Sequence, residues 1–287
     1  MTKIAVLGIP IMWLHEDRSQ VFIPMATDQP RKDLEKLLHE TAFGITVVNL
    51  GEVSAPTENF SGDYYNSMGA EVQSRIADSG ADTVLAIGGD HVSALPLYYL
   101  PGNVVRADAH GDVYVFKNAR PSFQDANGGT YVYHAVQQGL KSAGEIKNVG
   151  INPSLHSDGF YNNGVIGESM DMHQILSSQP PSTAFLDIDV DVLSRHYRLP
   201  HGESTSNLLV RDLAKLIVKL KPYVVGLFEC VGKDGFIRED IIMKNQRVFR
   251  PIAEAVGQLD LSKSLGNFQD PSAGYLPIVT YTTPGPA

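Results

Sequence analysis

The sequence predicts an α/β fold with three layers, a mainly parallel sheet between two sets of helices, and three observations lead there. Short β-branched runs alternate with longer amphipathic stretches, the pattern that builds βαβ units and parallel strands. The chain has 287 residues, 43% of them hydrophobic and 19% charged, which is enough for a large core. Acidic and imidazole residues follow directly on several apolar runs, as in open α/β sheets whose functional crevice lies beyond the carboxyl ends of the strands.

Taken in order, Ile4–Leu7 reads as the first buried strand. Its apolar run is too short for the core of a signal peptide, and no small-residue cleavage site follows. Arg31–Glu40 is an amphipathic helix, Thr46–Asn49 a second strand and Tyr65–Ser79 a second helix. The apolar runs Thr83–Ile87 and Val104–Ala107 are strands, and Tyr131–Gly139 is a helix after the second of them. Lys147–Gly150, Thr183–Leu186 and Val224–Phe228 complete the strands; Leu208–Leu220 and Ile252–Gln258 complete the helices. Gly51–Asp63 and Pro153–Gly167, rich in Gly, Asn, Ser or Pro, are loops. With no repeat and no linker, residues 1–287 read as one domain, and Pro and Gly in the tail 270–287 point to irregular structure there.

Composition narrows the function. A net charge of −9 argues against a nucleic-acid or anionic-membrane surface, and no window of about 18 apolar residues exists to span a bilayer. Cys230 is the single cysteine, which excludes an internal disulfide and a cysteine-built zinc site and makes the cytoplasm the expected address.

The polar clusters carry the chemistry. Gly88-Gly89-Asp90-His91 follows one strand, Asp108-Ala109-His110-Gly111-Asp112 another, Asp187-Ile188-Asp189-Val190-Asp191 a third, and Glu229 ends a fourth. In extended backbone residues i, i+2 and i+4 share a side, so Asp108, His110 and Asp112 are expected to face one point, with Asp189 and Asp191 repeating the spacing. Like charges crowded in this way raise carboxylate pKa values and are costly to hold without cations. Carboxylates with a minority of imidazoles suit Mn²⁺, less often Fe²⁺, Co²⁺ or Zn²⁺. Four carboxylates and two imidazoles suit two ions better than one, and two ions can bring a shared water to a nucleophile near neutral pH. Each motif alone has an ordinary structural reading, as a turn, a helix cap or a solvated strand end; together, each after a strand, they point to a metal site.

With these residues in place, the sequence resembles the ureohydrolase family of arginase, agmatinase and their relatives over roughly 83–229. Gly88-Gly89-Asp90-His91, Asp108-Ala109-His110-Gly111-Asp112 and Asp189-Val190-Asp191-Val192-Leu193 are similar to its three signatures. The resemblance implies an arginase-like α/β/α fold and two Mn²⁺ per chain. His91, Asp108, Asp112 and Asp189 would bind one ion, and His110, Asp108, Asp189 and Asp191 the other. It implies hydrolysis of a C–N bond in a guanidino compound, with Glu229 gripping the guanidinium through charge-assisted hydrogen bonds and Asp112 or another metal-bound carboxylate carrying the proton to the departing amine. Tyr114, Asn127 and His201 are further candidates for substrate binding. Assembly of copies into a homo-oligomer is compatible with the family.

The chain also departs from the family pattern. Gly128 stands where a proton-relaying His is usual, leaving His134 as a candidate replacement, with an ordinary buried residue as the alternative. Loss of a positioned acid/base costs ~10²–10⁴ in rate, which an activated or N-substituted guanidine would feel less. Gly150-Ile151-Asn152-Pro153 lacks the acid used to recognise an α-amino group, and Tyr114 follows the agmatinase pattern; both disfavour plain L-arginine. Leu193-Ser194-Arg195 replaces Leu-Asp-Pro, and Arg195, His196 or His201 would meet an anionic substrate group. Asp90 and Asp187 are expected to support ligands by hydrogen bonds, and Cys230 to pack in the core. Three rivals stand beside the guanidino reading: a same-fold hydrolase of a formimino or amide substrate, a metal-binding homologue with little or no turnover, and a deacetylase-type enzyme. The Asp189/Asp191 pair speaks against the last.

Overall fold

The computed structural model describes residues 2–14, 19–22, 27–54, 62–113, 126–152, 168–177, 183–193, 208–230 and 241–259. Its strands are β1 (Thr2–Ile9), β2 (Ile11–Leu14), β3 (Ser19–Phe22), β4 (Ile45–Glu52), β5 (Thr83–Gly88), β6 (Asn103–Ala107), β7 (Ile146–Val149), β8 (Glu168–Met170), β9 (Thr183–Asp189) and β10 (Val224–Phe228). Its helices are α1 (Asp28–Thr41), α2 (Gly62–Ser79), α3 (Tyr131–Gln137), α4 (Met172–Ser177), α5 (Val210–Leu220), α6 (Ile241–Lys244) and α7 (Gln246–Gly257).

Eight strands form one sheet in the order β4-β1-β5-β10-β9-β6-β7-β8, parallel at every junction, and β2 and β3 make a separate antiparallel hairpin. The central strands are apolar on both faces, as a sheet covered on both sides requires. Alternation along β1 sends Ile4 and Val6 into one core with Leu34, Leu38, Leu213 and Phe249, from α1, α5 and α7. Ala5, Leu7 and Ile9 enter the other core with Tyr65 and Val72 of α2 and Tyr131 of α3. The result is the three-layer α/β/α arrangement predicted from the alternating pattern.

All seven sequence-derived strands and five helices are present, within three residues at their ends except the helix expected from Ile252, which begins six residues earlier at Gln246 and carries Pro251 inside it. The helix expected from Leu208 begins at Val210, because Leu209 is extended (φ −102°, ψ 152°) and its N–H is held by the Asp212 carboxylate at 3.1 Å. The strand expected to reach Gly150 stops at Val149, where Gly150 turns with φ 92°. The hairpin, β8, α4, α6 and a 3₁₀ run at His91–Tyr99 went unread in the sequence. The loop 153–167 and the tail 270–287 lie outside the described residues.

Candidate metal centre

The strands that carry the polar clusters, β5, β10, β9 and β6, are neighbours at the middle of the sheet. Being parallel, they end on one edge. Beyond β5 the chain folds back as the 3₁₀ run, which Asp90 caps by accepting from Val92 N–H at 3.1 Å. Gly88 makes this possible: a Cβ there would stand 2.4 Å from Ser93 Cβ and 2.6 Å from the Phe228 ring. His91, first in the run, is buried with its ring stacked on Phe228 (centroids 5.5 Å apart).

The expected alternation of Asp108, His110 and Asp112 along a strand is not what gathers them. β6 stops at Ala107, and the chain bends before Asp112, whose φ of 51° is left-handed. Asp and Asn tolerate that conformation better than most residues. Asp108 and Asp112 therefore turn towards His91, while His110 turns to Asp191. Asp189 likewise ends β9, and Asp191 lies in the 3₁₀ turn Val190–Val192, its N–H held by the Asp189 carboxylate at 2.8 Å. The bends do what the pleat was expected to do.

His91 Nδ1 lies 3.2 Å from Asp108 Oδ2, 3.1 Å from Asp112 Oδ2 and 3.0 Å from Asp189 Oδ2. None of the three is placed to form a good hydrogen bond with it. Its other nitrogen, Nε2, is 3.0 Å from Asp187 Oδ1, so a proton there leaves the Nδ1 lone pair facing three carboxylate oxygens. A cation between these atoms fits them better than any pairwise hydrogen bond. On the other side of Asp108, His110 Nδ1 is 2.8 Å from Asp191 Oδ2 and 3.7 Å from Asp108 Oδ1, and buried Asp191 Oδ1 has no hydrogen-bond partner among the described residues. The donors of His91, Asp108 and Asp112, and those of Asp108, His110 and Asp191, each fall within 4.8 Å of one another. Asp108 belongs to both groups, one oxygen towards each.

Two kinds of residue in this centre escaped the sequence reading. Arg106, on β6, is fully buried and donates through Nη2 to Asp108 Oδ2 and Asp112 Oδ2. Its Nη1 donates to Gly111 O and Asn148 Oδ1, both at 3.0 Å, and its Nε to Tyr131 Oη at 3.0 Å. The other kind is tyrosine. Tyr131 and Tyr98 donate to Asp187 Oδ2 at 2.7 and 2.9 Å, so two hydroxyls fix Asp187 while it holds His91. The signal for Arg106 was a lone charge inside an apolar strand, two residues before Asp108 and so on its side of the pleat. Nothing in the sequence marks the two tyrosines.

Charge balance follows from these contacts. Burial disfavours ionised Asp108, but Arg106 and His91 outweigh it and hold the carboxyl well below its usual range. Asp112 is pushed up to about 7 by burial and by Asp108, in spite of Arg106. Asp189 is raised well above its ordinary value by burial and then by Asp191. His110 is raised to about 12: burial opposes this, and its hydrogen bonds to Asp108 and Asp191 prevail. His91 also goes up, burial being outweighed by Asp187, Asp189 and Asp108. Without a metal, protons and Arg106 together balance the carboxylates.

Glu229 follows β10 in a left-handed conformation (φ 57°), unusual for a residue with a Cβ. Its Oε1 accepts from His91 N–H at 3.0 Å, and burial, then Asp90 and Asp189, raise its pKa well above the usual value. Gly128 faces this corner: a Cβ there would lie 2.7 Å from Asp90 Oδ1 and 3.5 Å from Glu229 Oε1. Asn127 accepts from Gly129 N–H at 2.9 Å, in the turn that starts α3. His134 is buried on α3 with its ring edge-on to Tyr133 at 5.3 Å, and it is Tyr131 that α3 sends into the centre. Cys230 is buried in the core beside β10. Tyr114, Arg195, His196 and His201 lie outside the described residues.

Comparison with known proteins agrees with this architecture. The sequence model of the Arginase family matches residues 2–197. A Schizosaccharomyces pombe protein described as "Putative agmatinase 1" is 31% identical over 146 residues; the match takes in 43% of this chain but only 37% of that protein's length. Among solved structures, the arginase of Bacillus caldovelox superposes with a TM-score of 0.62 at 17% identity, over 90% of this chain and 99% of that one. A hypothetical agmatinase from Burkholderia thailandensis gives 0.59 at 16%, over 90% and 86%. A Trypanosoma cruzi formiminoglutamase solved with Mn²⁺ gives 0.59 at 13%, over 89% and 93%. At such identities the structures speak for the fold.

Proposed function

This chain belongs to the arginase family, and on that premise we propose that it is a two-manganese hydrolase cleaving a C–N bond of a guanidino compound other than plain L-arginine. The observation that carries the proposal is His91: its Nε2 is engaged by Asp187, and its Nδ1 is aimed among three carboxylate oxygens 3.0–3.2 Å away. A carboxylate behind an imidazole fixes its tautomer and strengthens it as a ligand. His91, Asp108, Asp112 and Asp189 would hold one ion; His110, Asp108, Asp189 and Asp191 would hold the other. Two divalent ions so held would supply Lewis acidity and bring a water's pKa down towards neutrality.

The chain's own residues do the rest. Glu229, gripped by the His91 amide, offers a carboxylate whose removal from water makes a cationic guanidinium its natural partner. Asp112 would deliver a proton to the departing amine. Position 128 carries no side chain to relay one, and Asp90 fills the space such a side chain would need. That loss favours substrates whose leaving group is weakly basic, such as an activated or N-substituted guanidine. The address we propose is cytoplasmic, on the strength of the single cysteine.

Metal analysis of protein grown with manganese, followed by a panel of guanidines, formimino compounds and amides assayed for urea, ammonia and amine, tests this reading. Near two ions per chain with urea from any guanidine is the expected result. Amine and formamide from a formimino compound, or ammonia from an amide, with no urea from any guanidine would favour the same-fold alternative, and tight ligand binding with no product at any pH would favour a binding protein. Equal turnover of a simple alkylguanidine and an activated one would refute the leaving-group argument.

A further inference from the structure

Arg106 has no part in the functional reading above, yet it is the most completely bonded side chain of the centre. A guanidinium has five N–H donors, and here the five acceptors are Tyr131 Oη, Gly111 O, Asn148 Oδ1, Asp108 Oδ2 and Asp112 Oδ2. The side chain is fully buried, and its charge is permanent. The two carboxylate oxygens it holds are the same two that face His91 Nδ1 at 3.2 and 3.1 Å. It makes no contact of this kind with His110 or Asp191, whose pairing lies on the other side of Asp108.

We propose that Arg106 is a built-in cation that supports the centre before metal arrives and weakens the ion site at His91, Asp108 and Asp112, so that the site at Asp108, His110 and Asp191 fills first. This rests on the two-ion reading of the centre. Removing buried counter-charge leaves carboxylates uncompensated, which is strongly destabilising, so Arg106 supports the metal-free fold. A fixed positive charge bonded to two ligand oxygens repels an arriving divalent ion and withdraws electron density from those donors. Arg106 is thus a positioning residue with opposite effects on the two states. A residue that merely shaped the ligands would, when replaced, weaken both fold and metal binding.

The test compares the whole chain with Arg106→Met and Arg106→Lys by titrating metal-free protein with Mn²⁺, following bound ion by calorimetry and by the EPR signal of free Mn²⁺, and by thermal denaturation in chelator. In the wild type, two binding steps separated by at least about tenfold are expected, and His110→Ala should remove the tighter one. Arg106→Met should lower the melting temperature in chelator yet tighten the weaker step by roughly 10–100-fold, the usual reach of residues that hold metal ligands. Arg106→Lys, which retains a cation but not the planar fork, should tighten the weaker step less than Arg106→Met does. Weaker binding in Arg106→Met together with a lower melting temperature would reduce Arg106 to a structural prop and overturn the proposal. Unchanged constants would also overturn it while leaving the two-ion reading intact, whereas failure of the wild type to bind Mn²⁺ at all would defeat both. Should Arg106→Met not fold, the wild-type titration decides: two equal steps refute the proposal.

Discussion

Replacing Asp187 by Asn is the sharpest probe of how the centre is held. The change keeps size and shape but exchanges one carboxylate oxygen for an NH₂ group. In the native protein Oδ1 faces His91 Nε2 at 3.0 Å, and Oδ2 accepts from Tyr131 at 2.7 Å and Tyr98 at 2.9 Å. An amide has one oxygen for these three donors. If it stays with the tyrosines, its NH₂ confronts His91 Nε2, and the imidazole either keeps its Nε2 proton pointed at Tyr131 Oη alone, 2.9 Å away, or shifts it to Nδ1, the atom offered to the metal. If it turns to His91, two buried hydroxyls lose their acceptor at about 1–3 kcal/mol for each left unpaired. Either way metal affinity should fall roughly 10–100-fold, and the metal-free protein should lose about 1–3 kcal/mol, since Arg106 Nε, 3.6 Å from Oδ2, loses a nearby negative charge too. Calorimetric titration with Mn²⁺ measures the first effect and denaturant unfolding in chelator the second. A variant that binds Mn²⁺ within twofold of wild type would refute the claim that Asp187 sets the His91 tautomer.

Asp108→Ala should abolish loading of both ions, because Asp108 offers one oxygen to each donor group, and should cost at least about 3 kcal/mol by stranding Arg106; metal analysis and unfolding curves check the two parts. Glu229→Gln should keep metal and lose substrate binding, as substrate titration of the loaded variant would show. Because φ at 229 is 57°, Glu229→Gly should be more stable than Glu229→Ala by about 1 kcal/mol, read from melting curves. In the metal-free protein Asp112 keeps its proton up to about 7, whereas unfolded it would release it near 4. Between those values the folded state holds the extra proton, so this group's stabilisation, complete at low pH, declines as pH rises towards 7 and is gone above it. Manganese affinity should climb over the same range, by up to about tenfold per pH unit, and level off beyond it; melting curves and titrations across pH 5–8 test both.

What the sequence revealed and what it hid have physical reasons. The central strands were legible because a sheet buried on both faces needs unbroken apolar runs such as Thr83–Gly88, and the acids beyond them stood out against that background. The six proposed ligands were legible as residue types, but the way they gather was not. Asp112 swings into place through a left-handed turn, and Asp191 through a 3₁₀ turn braced by Asp189. Backbone bends of this kind leave no periodicity to read. Arg106 was passed over because its neighbours Val104, Val105 and Ala107 dominate the pattern of β6, although a charge there calls for buried acceptors. Tyr98 and Tyr131 look like ordinary core aromatics, and their burial bears that out; only their hydroxyls distinguish them. The hairpin β2–β3 and the three-residue β8 are too short for any repeat to emerge.

The sheet order has a consequence for how such a protein matures. β10, the last of the described strands, is inserted between β5 and β9, so it stitches a block made from β4, β1 and β5 to another made from β9, β6, β7 and β8. His91 hangs from the first block; the aspartates around it hang from the second. Until residues 224–228 have left the ribosome and slotted in, the imidazole and its acidic neighbours have no seam to hold them together. Capture of the ions should thus wait for β10, and a nascent chain stalled before residue 224 should be unable to sequester them.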